Sequence, residues 1–231
     1  MPLVVAVNGR DLRSASAELK EAVAKGPVVI QGAAHLHGLV AGFKTGEVII
    51  GGDCGDYLGV LNDGATIRVK GNAGRYLADN MTMGTIIVEG DASYGAGQYC
   101  YGGTIVVNGS AGDYTAVMNK GATIIIKGNV GDEVATYTLG GDLVVVGNAG
   151  KNLGNYLIRG NIYIGGKWES LGHNTLLTEV TRDDLIKLSS YFDQYSIEAD
   201  PTAFKKIVRL SEKPFYKAKQ PVRLESLHVQ S

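Results

Sequence analysis

Short aliphatic runs recur along this chain at one fixed interval, each followed after a single residue by a glycine. Four positions before that glycine the chain reads Val48, Ile67, Ile86, Ile105, Ile124, Leu143 and Ile162. Two positions before it stand Ile50, Val69, Val88, Val107, Ile126, Val145 and Ile164. The residue between the two varies more (Ile49, Arg68, Ile87, Val106, Ile125, Val144, Tyr163), and the last before glycine is often polar, as at Lys70, Glu89, Asn108 and Lys127. Alternation of this kind, rich in β-branched residues, predicts a strand with one face committed to a core. The glycines Gly52, Gly71, Gly90, Gly109, Gly128, Gly147 and Gly166 are each nineteen residues apart, so the chain is a repeat protein.

A turn follows each glycine. The next position is Asp53, Asn72, Asp91, Ser110, Asn129 or Asn148, and two further on stand Gly55, Gly74, Ser93, Gly112, Gly131 and Gly150. Asp and Asn are expected to bond their own backbone two residues on, with glycine supplying a positive φ. Seven positions after the repeat glycine the residue is always small (Gly59, Ala78, Gly97, Ala116, Ala135, Gly154), which predicts close backbone approach inside the coil. A second glycine or alanine opens each strand, from Gly46 and Ala65 to Gly160.

Nineteen residues are too few for a helix–turn–helix repeat and suit one turn of a β-solenoid. The length is not a multiple of six, which argues against a hexapeptide left-handed β-helix, and the glycine-aspartate calcium repeat is missing. The expected fold is therefore all-β: a right-handed, single-stranded β-helix with short capping helices at both ends. Seven turns stacked at about 4.8 Å make a rod roughly 34 Å long.

Solenoid ends need caps, because an open end exposes a sheet edge and the core. Residues 1–27 read as an N-terminal strand and a capping helix from about Asp11 to Lys25, with Leu12, Ala15, Leu19, Ala22 and Val23 on one face and Gly26-Pro27 as the stop. Residues 28–175 read as the β-helix, with Val28 to Gln31 as a degenerate first coil. Residues 176–231 read as C-terminal helices and an extended tail. One helix starts at the capping-box-like Thr181 to Asp184 and carries Leu185, Leu188 and Phe192. A second opens at Asp200-Pro201 and carries Phe204, Ile207 and Val208, and an extended tail runs from about Lys213 to Ser231.

Composition narrows the partners. The formal net charge is −1 over 231 residues, with no basic cluster, so the chain offers no electrostatic footprint for nucleic acid or an anionic membrane. Its apolar runs are strand-length, too short to span a bilayer. Met1 to Asn8 reads as a strand with no signal-peptide character, and the expected location is cytoplasmic. Two cysteines make no disulfide framework; Cys54 takes the slot that other turns give to Ala73, Ala92, Ala111, Val130 and Ala149, and is expected to be buried.

Nucleophile-elbow, phosphate-loop and HExxH metal motifs are missing. His35 and His37 could form a metal pair, but no third ligand stands at suitable spacing. Cys100, between Tyr99 and Tyr101, reads as a buried or interfacial thiol. Asp53, Asp56, Asp113 and Asp132 read as turn-formers. No catalytic, cofactor-binding or metal-binding residue is assigned to this chain.

One stretch departs from the repeat average: Ala78 to Gly84, then Asp91 to Gly103. Uncharged polar and aromatic side chains stand there where other coils carry aliphatics or charges. Such a cluster on one side of a solenoid is a candidate partner face, with Asn80, Gln98, Tyr99 and Tyr101 as its members and His173, where the solenoid ends, as a further interface residue.

The glycine turns, the Gly-Gly-Thr-Ile-Val-Val type strands and the Asp79–Gly103 stretch resemble the glycine-rich GXGXG domain, the C-terminal β-helix of the large subunit of glutamate synthase, which also occurs as a free-standing subunit. The resemblance covers roughly residues 28–175. The repeat alone is similar to the β-helix subunits of formylmethanofuran dehydrogenases and of formyltransferase/hydrolase complexes. The Asp79–Gly103 stretch, Gly160 to Gly166 and Glu169 to Asn174 look most like free-standing glutamate-synthase-like subunits, among them the middle subunits of N-methylglutamate synthases.

The resemblance implies a division of labour. A class II glutamine amidotransferase subunit releases ammonia, an FMN-binding subunit with an iron–sulfur cluster performs the reductive step, and the β-helix subunit holds the two in a hetero-oligomer that makes glutamate or N-methylglutamate. Pro2 stands where the amidotransferase has its cysteine nucleophile, and two cysteines cannot ligate a cluster alone, so both activities and the FMN and iron–sulfur cofactors are expected on partners. Two alternatives stand beside this: a subunit of a formyl-handling complex, and a stand-alone β-helix enzyme with a sugar or acyl chain in a groove along its side.

Overall fold

The computed structural model describes residues 1–212; the tail expected from Lys213 to Ser231 lies outside the described residues. The chain is a parallel β-solenoid in which each coil contributes one strand. In chain order the elements are β1 (Leu3–Ala6), α1 (Leu12–Val23), β2 (Val28–Gln31), β3 (Glu47–Ile50), β4 (Asp63–Val69), β5 (Met83–Val88), β6 (Thr104–Val107), β7 (Lys120–Ile126), β8 (Leu139–Val145), β9 (Arg159–Ile164), β10 (Thr175–Glu179), α2 (Arg182–Tyr195) and β11 (Lys205–Arg209). They form one sheet in the order β1 to β9, then β11, then β10. Among the described residues no helix is long and apolar enough to cross a membrane.

The nineteen-residue interval is the pairing register. Val48 pairs with Ile67, Ile67 with Ile86, and so on to Leu143 with Ile162. Like therefore stacks on like, and both aliphatic columns are fully buried along the rod. Burying each such side chain contributes about 1.5–3 kcal/mol, so the repeated strand is also the main source of cohesion between coils. A second ladder runs through the turns, where Cys54, Ala73, Ala92, Ala111 and Val130 bridge in succession. Their small side chains fill the coil interior, and both Cys54 and Cys100 are buried.

The turn chemistry differs from the sequence expectation. The Asp, Asn and Ser after each glycine do not bond their own backbone two residues on. They accept from the coil that follows: Asp53 from Asn72 N at 2.7 Å, Asn72 from Asp91 N at 2.8 Å, and Asp91 from Ser110 N at 2.7 Å. Ser110, Asn129 and Asn148 continue the ladder. A parallel ladder begins at His37, which accepts from Asp56 N, continues at Asp56, which accepts from Arg75 N, and resumes at Asp113 and Asp132. The stacked register decides this, because a neighbouring backbone N–H lies one coil away along the rod and the turn's own donors are engaged elsewhere.

Nor does glycine supply a positive φ here: neither the repeat glycines nor Gly55, Gly74, Gly112, Gly131 and Gly150 in the turns has one. A Cβ on Gly128 would lie 2.5 Å from the Ser110 hydroxyl, and one on Gly166 would lie 2.6 Å from the Asn148 amide oxygen. Left-handed backbone occurs instead at the five-, seven- and nine-positions of the turn, for example Tyr76, Ala78 and Asn80. The always-small seven-position is where the chain passes closest to the core, since a Cβ on Gly97 would meet Ile124 Cδ1 at 2.7 Å.

Both ends are capped. At the N-terminus β1 pairs parallel with β2, and α1 buries Ala15, Leu19 and Ala22. Its N-cap Asp11 accepts from Ser14 N. At the C-terminus the expected second helix is corrected. Asp200-Pro201 opens only a single 3₁₀ turn, Pro201–Ala203, and Ile207 and Val208 lie on strand β11. β11 runs antiparallel to β9 on one side and to β10 on the other. The open edge of β9 offers a full set of backbone partners to a β-branched segment, which a short isolated helix could not match.

α2 lies on the outward face of the sheet. Its Leu188 and Phe192 pack with Val106, Ile125, Val144 and Tyr163. The helix starts at a complete capping box between Thr181 and Asp184. A polar network fastens it down. Asp142 accepts from Lys187 at 3.0 Å, Tyr191 at 3.1 Å and Asn161 at 2.8 Å. Asp184 accepts from the Tyr163 hydroxyl at 2.6 Å and from Lys206 at 2.8 Å.

Candidate partner interface

The nine-position of the turn carries Leu61, Asn80, Tyr99, Met118, Tyr137 and Tyr156, all left-handed. The residue after each is drawn inward, as Met81 and Cys100 are, so the nine-position side chain is left outside. The backbone N–H of each donates to the next coil, for example Tyr99 to Val117 O at 2.9 Å and Tyr137 to Asn155 O at 2.8 Å. This ridge is thus held rigidly, with Leu61 and Tyr137 exposed and Asn80, Tyr99, Met118 and Tyr156 half-buried. Leu61 is 55% exposed, and Met83 and Tyr101, in the same stretch between turn and strand, are 56% and 57% exposed. Lys120 Nζ sits 3.7 Å from the centre of the Tyr101 ring and 6.0 Å from that of Tyr99. Tyr137 stacks on Tyr156 at 5.3 Å, and exposed His173 closes the column 4.9 Å from Tyr156.

Four of the five expected interface residues, Asn80, Tyr99, Tyr101 and His173, therefore fall on or beside one ridge. Gln98 does not. It is only 8% exposed, and its amide donates to Tyr114 O at 3.3 Å. It precedes the nine-position by one, and the alternation of the turn sends it the other way. Sequence reasoning also missed a second aromatic column, Tyr57, Tyr76, Tyr94 and Tyr114, with successive ring centres 4.8, 5.5 and 5.1 Å apart. Its signal was present, since Tyr57, Tyr76 and Tyr114 share the five-position. Gly95 takes that left-handed slot in the intervening coil, and Tyr94 beside it supplies the ring.

The remaining candidates for chemistry have structural partners. His37 Nδ1 accepts from Asp56 N at 2.9 Å, doing in the first coil what Asp56 does in the second. His35 Nε2 instead lies 3.1 Å from Arg10 O. Burial pushes the Cys54 and Cys100 thiols up to about 12. Among the described residues no three His, Cys, Asp or Glu side chains come together as a metal site. The ridge offers rigid aromatic and aliphatic anchors with a cation beside them, the composition of a protein-docking surface.

The comparisons with known proteins agree on the architecture. Residues 37–191 match the GXGXG motif family. No curated protein matches the chain. Among solved structures it is similar to a chain of the formyltransferase/hydrolase complex (FhcABCD) from Methylorubrum extorquens in complex with methylofuran. The two are 25% identical, with a TM-score of 0.51, over 68% of this chain and 69% of that one.

Proposed function

We propose that this chain, which belongs to the GXGXG motif family, is the scaffold subunit of a heteromeric enzyme complex and docks its partners through the ridge from Leu61 to His173. The observation that carries this reading is the ridge itself: exposed Leu61, Tyr101, Tyr137 and His173 beside half-buried aromatics, on a backbone whose own donors are engaged along the rod. A stack of coils holds such side chains in fixed register over many ångströms, which is what a subunit must do to position two others. The similar chain from Methylorubrum extorquens belongs to a multi-subunit complex, which supports a hetero-oligomer here.

The partners we propose are a class II glutamine amidotransferase and an FMN-binding, iron–sulfur synthase subunit, together making N-methylglutamate or glutamate. The Asp79–Gly103 stretch supports this assignment, because its resemblance to free-standing glutamate-synthase-like subunits goes beyond the shared repeat. The second reading is a subunit of a formyltransferase/hydrolase-type complex, favoured by the likeness in fold.

Purification of the chain at native level from its own organism, with mass spectrometry and a visible spectrum of what travels with it, separates them. A yellow-brown complex with an amidotransferase supports the first reading. Co-purifying formyltransferase subunits support the second. A colourless lone protein would overturn the scaffold assignment.

A further inference from the structure

The ridge has a second row. The residue after each nine-position turns inward, as Cys100 and Asn119 do, and the eleven-position turns outward again as Thr82, Tyr101, Lys120, Leu139 and Ile158. This row is as rigid as the first, since Lys120 N donates to Cys100 O at 2.8 Å and Leu139 N to Asn119 O at 2.7 Å. From Tyr99 to Ile158 the two rows carry a single charge, Lys120. Asp63, the other charged residue on them, stands three coils away, about 14 Å at the spacing of stacked coils.

On its own row Lys120 stands between Tyr101 and Leu139, and Met118 shares its coil. The side chain is half-buried, with its ammonium 3.7 Å from the centre of the Tyr101 ring and 6.0 Å from that of Tyr99. Among the described residues no carboxylate or carbonyl accepts from it. Beside this row the twelve-position is glycine in three successive coils, Gly102, Gly121 and Gly140, flanked by exposed Met83 and Arg159. Stacking imposes these glycines: a Cβ on Gly102 would lie 2.6 Å from Thr82 O, and one on Gly121 would lie 2.5 Å from Tyr101 O. The missing side chains leave a notch along Tyr101, Lys120 and Leu139 and keep the approach to the ammonium clear.

A subunit that covers the ridge takes Lys120 out of water. The tyrosine rings offset part of that loss, because cation–π attraction grows on desolvation, but they carry no net charge. An ammonium buried without an anion is the costly arrangement, and this chain supplies no anion there. Arg159 at the end of the notch adds a second positive charge. Resting on the docking role proposed for the ridge, we infer that the covering subunit places an aspartate or glutamate, flanked by apolar residues, in this notch, with its carboxylate on Lys120.

Titration of the co-purified subunit against full-length K120Q, K120E and K120R tests this, with L61E as the control for the ridge itself. K120Q should weaken binding about thirtyfold, K120E more, and K120R less than about threefold. Added salt should weaken the wild-type complex more steeply than the K120Q complex. A melt of each variant reports whether it is folded. If K120Q is not, acetylation of the wild type carries the test: Lys120 should be protected in the complex, and Lys151, whose side chain is 63% exposed, should not. Equal binding by wild type, K120Q and K120R while L61E loses affinity, or an unprotected Lys120, would overturn this inference and leave the ridge as the interface. Equal binding by every variant, L61E included, would overturn both.

Discussion

The Asp91 carboxylate accepts the backbone N–H of Ser110 at 2.7 Å, one coil further along the rod. In doing so it fills the space that a side chain on Gly109 would need. Sequence position couples these features. The residue after one repeat glycine closes the hydrogen bond of the next coil, and only glycine leaves room for it. The repeat glycines are thus a consequence of the ladder together with the close stacking of the coil backbones, Gly90 O lying 2.8 Å from where a Cβ on Gly109 would stand, and their even spacing along the chain follows from the register.

Gly52 is the exception that tests this. Strands β2 and β3 pair at an interval of twenty residues, so the coil before it places Gly32 and Ala33 where the others place glycine and an oxygen-bearing side chain, and a Cβ on Gly52 would meet nothing within 4 Å. Gly109→Ala should cost about 2 kcal/mol by overpacking. Gly52→Ala should change stability by less than about 0.5 kcal/mol, or raise it slightly through the unfolded chain. Urea unfolding of both variants checks the difference. The pair Asp91→Ala and Gly109→Ala should be only partly non-additive, because removing the carboxylate relieves the closest contact while the Gly90 carbonyl, 2.8 Å from the same Cβ, still opposes the methyl.

Much of this was legible in the sequence because a solenoid writes its register as a spacing. Val48 and Ile67 pair because they are nineteen residues apart, and the aliphatic columns and the buried slot of Cys54 follow from that alone. What was not legible depended on contacts between distant segments. Ile207 and Val208 became a strand because β9 had a free edge, which no local pattern near Asp200 announces. The residue between the two aliphatic columns reads in sequence as merely variable. Arg68 lies beyond α2, whereas Val106, Ile125, Val144 and Tyr163 lie beneath it. Gln98 and Tyr99 are adjacent, and only the left-handed backbone at Tyr99 decides which of them faces the solvent.

Both thiols should be inert in the folded protein. Burial holds Cys54 and Cys100 at about 12, so the thiolate at pH 8 is on the order of 10⁻⁴ of the total. Ellman's reagent should label neither cysteine in buffer and both in denaturant. Rapid labelling of one in buffer would show that its coil opens locally.

The ridge should carry partner affinity without carrying stability. Tyr101→Glu and Leu61→Glu alter side chains more than half exposed, so their thermal midpoints should stay close to wild type. Binding to the co-purified partner should fall at least tenfold, about 1.4 kcal/mol, for either change. Tyr57→Glu, on the other aromatic column, should bind as wild type. The reverse pattern in a binding titration would move the interface to that column.

The C-terminal cap should loosen in acid before the solenoid does. Burial alone would raise the Asp184 carboxyl, but hydrogen bonds from Lys206, Tyr163 and Thr181 outweigh it and hold the group well below the usual carboxylate range. A depressed carboxylate contributes stability that is fully present above its unfolded value of about 4 and is lost as pH falls toward the folded value. Tyr163, raised first by burial and then by its hydrogen bond to Asp184, works in the other direction and weakens the contact only as pH rises above about 10. Between these limits the network should be indifferent to pH. Asp184→Asn removes the charge that Lys206 faces, and breaking such a largely buried pair from one side costs about 3–5 kcal/mol. Because the aliphatic columns do not pass through Asp184, that loss should fall on α2 and β11. Hydrogen exchange should show faster exchange of α2 amides in Asp184→Asn at pH 7, and in the wild type below pH 4, while β4 to β7 remain protected. Uniform loss of protection along the rod would mean that the cap and the solenoid unfold as one unit.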